Sequence, residues 1–91
     1  MTTQNLAEIL KDRADKYNAH GSYVDFSNLA QSLKTEVRKH KGWDSLRSDM
    51  KESIDMILHK IARAINGDHY YEDNWTDIEG YSKIVRDKLK D

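Results

Sequence analysis

Apolar residues recur every three or four positions in four stretches of the chain, near residues 5–18, 27–41, 48–66 and 74–90. This spacing places them along one face of an α-helix. No stretch has the pattern that is typical of a β-strand, and the connections between the four stretches are short. The pattern therefore predicts an all-α fold, namely a small antiparallel four-helix bundle.

The third predicted helix has the clearest pattern of the four. One side is apolar and faces the expected core, whereas the opposite side groups ionisable residues that follow each other at intervals of three or four. Ser48 is the expected N-cap, and Asn66 followed by Gly67 favours a left-handed stop. The apolar residues are Met50, Ile54, Ile57, Leu58, Ile61, Ala64 and Ile65, and the opposite side carries Glu52, Asp55, His59 and Arg63.

In the fourth predicted helix, Asp73 or Asn74 is expected to cap the start. Asp77 borders the apolar stripe, where an isolated carboxylate is too costly, so it must be paired, hydrogen-bonded or metal-bound. Gly80 lies inside the helix, which favours close approach by another helix or by a ligand. The stripe itself consists of Trp75, Ile78, Tyr81, Val85 and Leu89.

The second predicted helix follows a turn around Gly21 and starts near Asp25 or Ser27. It ends in the basic run of residues 38–41, just before Gly42. Cations in a last turn complement the negative end of the helix dipole. We prefer this explanation to a phosphate or nucleic-acid patch, because the run is short and lies where the dipole favours it.

The chain has 91 residues and no internal repeat or low-complexity linker, which predicts one helical domain over residues 1–91. Hydrophobic residues make up 37% of the chain and charged residues 34%, so there is material for only a modest core. We therefore expect self-association, as a homodimer or a larger homo-oligomer, to complete the burial.

The net charge of −1 gives no general attraction to nucleic acid or to an anionic membrane surface. There is no cysteine, which excludes a disulfide, a thiolate nucleophile and a cysteine-based zinc site. No apolar run approaches membrane-spanning length, and the start of the chain lacks a signal-peptide pattern. We expect a cytoplasmic protein with no membrane partner and no nucleic-acid partner.

Two motifs in the second half, KIARxxNGD over residues 60–68 and DxWxDIxGY over residues 73–81, resemble a family of small uncharacterised tailed-phage proteins. The likeness covers most of the chain and is looser in the first half. There the chain departs from the family after Tyr17, because residues 18–20 are inserted before Gly21. The family has no established activity, so the resemblance implies a phage origin, an infected bacterial host cell as the location, and an all-α fold.

A second resemblance is to the all-α nucleoside triphosphate pyrophosphohydrolases of the MazG and dUTPase type, which hold Mg²⁺ with E-x-x-E on one helix and E-x-x-D on the next. Glu52-x-x-Asp55 is similar to the first pair, and Asn74-x-x-Asp77, with Asp73 beside it, to the second. Asp55 is a shorter acid and Asn74 is neutral, which departs from the family pattern. The resemblance implies that Glu52, Asp55, Asp73 and Asp77 bind Mg²⁺ through oxygen ligands.

The same resemblance implies hydrolysis of a nucleoside triphosphate to a monophosphate and pyrophosphate, with Glu52 or Asp55 as the catalytic residue that orients the attacking water. Ligand binding would fall to two cations that neutralise phosphate oxygens and to three aromatic rings that stack on the base. These five residues are Lys60, Arg63, Trp75, Tyr81 and Tyr17.

A simpler interpretation exists for each of these residues. Charged side chains three or four apart on a helix are usually a solvated face with weak ion pairs, each worth about 0.2–0.5 kcal/mol. Trp75 and Tyr81 continue the apolar stripe and therefore also fit a core role. The pair Tyr70 and Tyr71 lies in a polar loop, where a partner contact and loop packing fit equally well.

Three classes of function remain open at this point. The first is a nucleotide-related role, with Mg²⁺-dependent hydrolysis of a nucleoside triphosphate. The second is a non-catalytic protein that sequesters a nucleotide signal or inhibits a host defence or replication protein. The third is a structural accessory protein, whose sensitive positions would be the apolar stripes. Acidic and basic residues paired around one helix–helix seam favour the first class, whereas the imperfect acidic motif favours binding over catalysis.

Overall fold

A computed structural model describes residues 6–7 and 22–89 of the chain. These residues form helices and no strand, which confirms the all-α prediction. The three α-helices are α1 (Tyr23–Arg38), α2 (Ser48–Asn66) and α3 (Glu72–Lys88), and a 3₁₀-helix spans Lys41–Ser45. The helix predicted near residues 5–18 lies, apart from residues 6–7, outside the described part of the chain, so a four-helix bundle is not confirmed.

Helix α1 begins earlier and ends earlier than the predicted span of 27–41. Ser22 is its N-cap, and the hydroxyl oxygen of Ser22 accepts a hydrogen bond from the Asp25 amide at 3.0 Å, which satisfies one of the free amides of the first turn. After Arg38 the chain turns into the 3₁₀-helix, where His40 Nδ1 accepts from the amide of Gly42 at 2.9 Å. The predicted start within residues 25–27 is therefore wrong, because Ser22 already provides a cap.

Helix α2 has the predicted span of 48–66, but neither of its ends has the predicted chemistry. The N-cap residue is Arg47 and not Ser48, and no side chain caps the first amides. The Arg47 guanidinium instead donates to both carboxylate oxygens of Asp49, each at 2.9 Å. At the other end Gly67 has a φ of −116°, so the predicted left-handed stop does not form, and its amide donates to the carbonyl of Arg63.

Helix α3 begins two residues before the predicted start, with Tyr71 as its N-cap residue. Asp73 and Asn74 therefore lie within the first turn and not at the cap, and Asn74 is only 4% exposed. Among residues 6–7 and 22–89 no helix makes the close approach predicted at Gly80, because a Cβ atom placed there meets nothing of this part of the chain within 4 Å. Gly80 lies on an exposed side of α3.

The middle helix, α2, packs against both of the others, whereas α1 and α3 have little contact with each other. The start of α1 meets the end of α2, since the Asn66 side-chain amide donates to the carbonyl of Ser22 at 3.0 Å. The end of α1 meets the first half of α2, where Arg38 pairs with Asp55. These two helices are therefore antiparallel.

Helices α2 and α3 are antiparallel as well. Lys60, in the second half of α2, pairs with Asp77 in the first half of α3 at 2.8 Å. Near the other end of the pair, the pKa of Asp49 is lowered, first by the hydrogen bond from Arg47 and further by the charge of Lys88 at the end of α3. The start of α2 therefore lies near the end of α3, and the second half of α2 lies against the first half of α3.

The core of the described part of the chain is small. It consists of Phe26, Ala30 and Ala62, with Leu29 and Leu33 packed against them. Several larger apolar residues of the predicted stripes lie outside it; Ile65, Trp75 and Leu89 are more than half exposed. None of the described helices is long and apolar enough to cross a lipid bilayer.

Candidate functional site

Asp55, a predicted catalytic residue and metal ligand, lies in the seam between α1 and α2. One nitrogen of the Arg38 guanidinium, Nη2, donates to both of its carboxylate oxygens at 2.8 Å. The side chain of Asp55 is 21% exposed. Arg38 also donates from Nη1 to the carbonyl of Lys34 at 3.0 Å, which agrees with the predicted role of the basic run at the helix end.

Asp77 and Lys60 were predicted as a metal ligand and a phosphate-binding cation, and the structure brings them together. The Lys60 ammonium lies 2.8 Å from a carboxylate oxygen of Asp77. Lys60 is largely buried, because only 14% of its side chain is exposed. The prediction that Asp77 must have a partner is confirmed, and the partner is a cation on the neighbouring helix.

The four predicted metal ligands do not form one cluster. Asp55 faces α1, whereas Asp77 contacts α2 at Lys60. Because Lys60 follows Asp55 by five residues on α2, the two positions point about 140° apart around the helix axis. Glu52 and Asp73 are exposed. Among residues 6–7 and 22–89 no group of three or more His, Asp or Glu side chains is placed to hold a metal ion, so this arrangement does not fit a magnesium site.

His59 lies against the core of the α1–α2 seam and not on a solvated face. Its ring and that of Phe26 make an edge-to-face contact, with ring centroids 4.9 Å apart and an interplanar angle of 81°. Burial lowers the pKa of His59, and the positive charges of Lys34, Arg63 and Lys60 lower it further. The imidazole is therefore held in its neutral form by an apolar neighbour and three surrounding cations.

Two of the three predicted base-stacking residues lie in the described part of the chain, both on α3. Trp75 is 54% exposed, and its indole Nε1 donates from α3 to the carbonyl of His69 in the α2–α3 connection at 2.9 Å. Tyr81 is half-buried along α3. Tyr17 lies outside the described residues. The core role that the apolar spacing favoured for Trp75 is therefore wrong, because the ring packs on a loop.

The connection between α2 and α3 is compact and hydrogen-bonded. The Tyr70 amide donates to the side chain of Asp68 at 2.9 Å, and the Tyr71 amide donates to the carbonyl of Asp68 at 3.2 Å. His69 Nδ1 meets the carbonyl of Ala64. These contacts fix the backbone of the loop, and Tyr70 within it is 92% exposed.

The segment that carries Tyr70 and Trp75 has acidic residues and no lysine or arginine. Asp68, Glu72 and Asp73 are all exposed, and residues 67–75 include no lysine or arginine. We call the five residues Asp68, Tyr70, Glu72, Asp73 and Trp75 the aromatic–acidic surface. The chain therefore offers two candidate sites. One is the group of Lys34, Lys60 and Arg63 near His59, and the other is the aromatic–acidic surface.

Two interactions between α1 and α2 near the candidate site could not be predicted from the sequence pattern. Arg38 and Asp55 are seventeen positions apart on different helices, so no local spacing could pair them. Lys34 acts on His59 across the same seam. The exposed Tyr70 was signalled by its position in a polar loop, which fitted a partner contact as well as local packing.

No protein-family model, curated protein or solved structure matches the chain. The resemblance of residues 60–68 and 73–81 to a phage-protein family therefore stays a prediction. The resemblance of Glu52-x-x-Asp55 and Asn74-x-x-Asp77 to the MazG-type pyrophosphohydrolases also stays a prediction.

Proposed function

We propose that this chain is a non-catalytic binding protein whose ligand is another protein. The observation that carries the proposal is the location of the large apolar side chains. Phe26 is the one large residue among the buried hydrophobic side chains of the described part, the others being alanines, whereas Ile65, Tyr70 and Trp75 are 57%, 92% and 54% exposed. Grouped exposed aromatic residues are typical of protein–protein interfaces.

The ion pairs of the acidic residues also favour binding over catalysis. Both oxygens of Asp55 accept from Arg38, and Asp77 is paired with Lys60. Recruiting either carboxylate to a metal ion would break a charge-assisted contact and leave a cation in the helix seam without its partner. In the phage setting implied by the motif resemblance, the partner would be a host defence or replication protein.

Site-specific crosslinking in the cells of origin tests this proposal. A photoreactive benzoylphenylalanine is placed at position 70, where the side chain is exposed and the residue contributes no side-chain hydrogen bond to the fold. The expected result is a discrete crosslinked species that contains one other protein, identified by mass spectrometry. The purified partner should then bind the unmodified protein in a calorimetric titration.

The matched control places the same photoreactive residue at Ser82, an exposed position on α3. It should give no discrete product, since Ser82 lies about two helical turns, or roughly 10 Å, beyond Trp75 and outside residues 67–75. An equal yield of the same species at positions 70 and 82, or no product at either, would contradict the proposal.

Self-association is a further part of the proposal. The small core of the described helices leaves apolar area that a second copy can cover. We propose a homodimer or larger homo-oligomer, and sedimentation equilibrium of the purified chain measures its mass directly. A dissociation constant of about 100 μM corresponds to weak specific association. If the chain stays a monomer at all concentrations up to this value, the proposed self-association is rejected.

A nucleotide-related role is the second candidate. It is favoured by the positive charges of Lys34, Lys60 and Arg63 near His59, which would attract phosphate oxygens if a ligand displaced Asp77 from Lys60. The test is thermal unfolding with nucleoside triphosphates and cyclic nucleotides, with and without Mg²⁺, followed by product analysis. Stabilisation with intact ligand would indicate binding, and pyrophosphate release that requires Mg²⁺ would indicate hydrolysis. No shift with any nucleotide would reject this candidate.

A further inference from the structure

The Trp75 ring in the first turn of α3 is held in place without being covered, and the loop before it fixes the backbone of the exposed Tyr70. The Trp75 indole is anchored by the His69 carbonyl at 2.9 Å, and the loop before it is fixed by the two amides that donate to Asp68. Trp75 and Tyr70 nevertheless keep 54% and 92% of their surface exposed. A ring that is already positioned loses less conformational entropy when a partner binds.

The carboxylates of the same surface have no lysine or arginine paired with them in the described part of the chain. Asp68, Glu72 and Asp73 form no ion pair within residues 6–7 and 22–89. Elsewhere in that part of the chain five acids are paired with lysine or arginine: Glu36, Asp49, Asp55, Asp77 and Asp87. The aromatic–acidic surface therefore combines exposed rings with uncompensated negative charge.

Local structure explains only part of this arrangement. Glu72 and Asp73 lie in the first turn of α3, where negative charge complements the helix dipole. One oxygen of Asp68 accepts from the Tyr70 amide. Neither contact requires two aromatic residues to be exposed beside the acids, and neither supplies a positive charge.

The chemistry that complements both features is a cation on an extended side chain. Arginine stacks its planar guanidinium on aromatic faces and donates to carboxylates in the same contact, and lysine does so as a point charge. Resting on the proposed protein-binding function, we propose that the aromatic–acidic surface binds a segment of a partner protein that carries arginine or lysine side chains.

Fluorescence anisotropy with labelled octapeptides tests this inference. The probes alternate glycine with arginine, lysine or glutamate, and they are titrated with the full chain at low salt. The arginine peptide should bind more tightly than the lysine peptide, and the glutamate peptide should not bind. Raising the salt concentration should weaken both complexes, because the carboxylates are exposed.

Two matched triple variants separate the surface from the net charge of the chain. The site variant replaces Asp68→Asn, Glu72→Gln and Asp73→Asn, which removes three charges and keeps the hydrogen-bond acceptors. The control variant replaces Asp44→Asn, Glu52→Gln and Glu79→Gln, which are exposed acids outside residues 67–75. We expect the site variant to weaken arginine-peptide binding at least tenfold and the control variant to weaken it by less than about twofold.

The aromatic contribution needs its own variants. Trp75→Leu and Tyr70→Leu should each weaken arginine-peptide binding about two- to fivefold, the size of one exposed cation–π contact. Trp75→Phe and Tyr70→Phe keep an aromatic face and should retain most of the affinity. Circular dichroism of each variant verifies that the helices are intact.

The inference is overturned if the control variant loses as much affinity as the site variant, if the leucine variants bind as well as the wild type, or if the arginine peptide does not bind. It is also overturned if the site variant converts a dimer into a monomer, because a second copy would then occupy the surface. A partner crosslinked at position 70 in the absence of peptide binding would leave the proposed function standing and reject only the basic chemistry of the partner. Failure of both measurements would reject both.

Discussion

Arg38, in the last turn of α1, donates from one guanidinium nitrogen to both carboxylate oxygens of Asp55 on α2. The pair joins two helices and is partly shielded, with the side chain of Asp55 21% exposed and that of Arg38 44% exposed. We expect the Arg38→Gln and Asp55→Asn exchanges, singly and together in a double-mutant cycle, to give a coupling free energy of about 1 kcal/mol. Urea unfolding measures each variant.

A matched control is available in the exposed pair Lys83 and Asp87, which lies within α3 and joins no two elements. Its cycle should give a smaller coupling, because both groups are solvated. A coupling for Arg38 and Asp55 that is no larger than that of the control would show that this contact contributes nothing particular to the α1–α2 seam. Asp55 would then be open again as a candidate metal ligand.

Phe26 is the largest residue of the small core, so its truncation should be the most damaging single change in α1. Phe26→Ala is expected to lower the free energy of unfolding by about 3–5 kcal/mol, which combines lost burial with the cavity left behind. Val24→Ala, two positions earlier and 65% exposed, should change it by less than about 0.5 kcal/mol. Equal effects of the two variants in urea unfolding would contradict the description of the core.

The sequence predicted the helices better than it predicted their ends. The span of α2 is as predicted, because its apolar residues repeat over five turns. The start of α1 was misplaced because Ser22 lay in a segment that looked like a turn, and a capping serine and a turn serine have the same local signal. The start of α3 was misplaced because Asp73 and Asn74 are good caps, although Asn74 is buried inside the helix.

The candidate site was the harder part to predict, and α2 shows why. A helical wheel gives a helix one apolar side and assigns the opposite side to solvent. The middle helix of three packs on two sides, so His59 on the polar side lies against Phe26, whereas Ile65 on the apolar side is exposed. Contacts such as that of Lys34 with His59 depend on which helix lies beside which, and a single sequence does not fix this.

The lowered pKa of His59 gives the stability of the protein a defined dependence on pH. The fold disfavours the imidazolium, through burial first and the charges of Lys34, Arg63 and Lys60 next. The pH window lies between the lowered pKa of His59 in the folded chain and its ordinary pKa of 6.5. In this window the unfolded chain binds a proton at His59 more readily than the folded chain does. We expect the contribution of His59 to the free energy of unfolding to be fully present above that value and to decrease as the pH falls through the window.

Nuclear magnetic resonance titration of His59 measures this pKa directly, and urea unfolding between pH 7.5 and about 5 measures its effect on stability. His59→Gln should remove this part of the pH dependence. Lys34→Gln removes one of the repelling charges while leaving His59 in place, so the pKa of His59 should rise in that variant. An unchanged titration in Lys34→Gln would show that the charge of Lys34 does not contribute to the lowered pKa of His59.

Gly80 offers a change that should stabilise the protein. It lies inside α3, where glycine costs about 1 kcal/mol relative to alanine, and a Cβ atom at this position meets nothing within 4 Å. Gly80→Ala should therefore raise the free energy of unfolding by about 1 kcal/mol and the melting temperature by about 4–8 °C. Gly67→Ala is the control, because a Cβ atom there would lie 3.1 Å from the carbonyl oxygen of Arg63 and should bring no such gain. If Gly80→Ala instead lowers the melting temperature, or disrupts an oligomer seen by sedimentation, another helix approaches this face of α3 and the close packing first predicted for Gly80 occurs between copies of the chain.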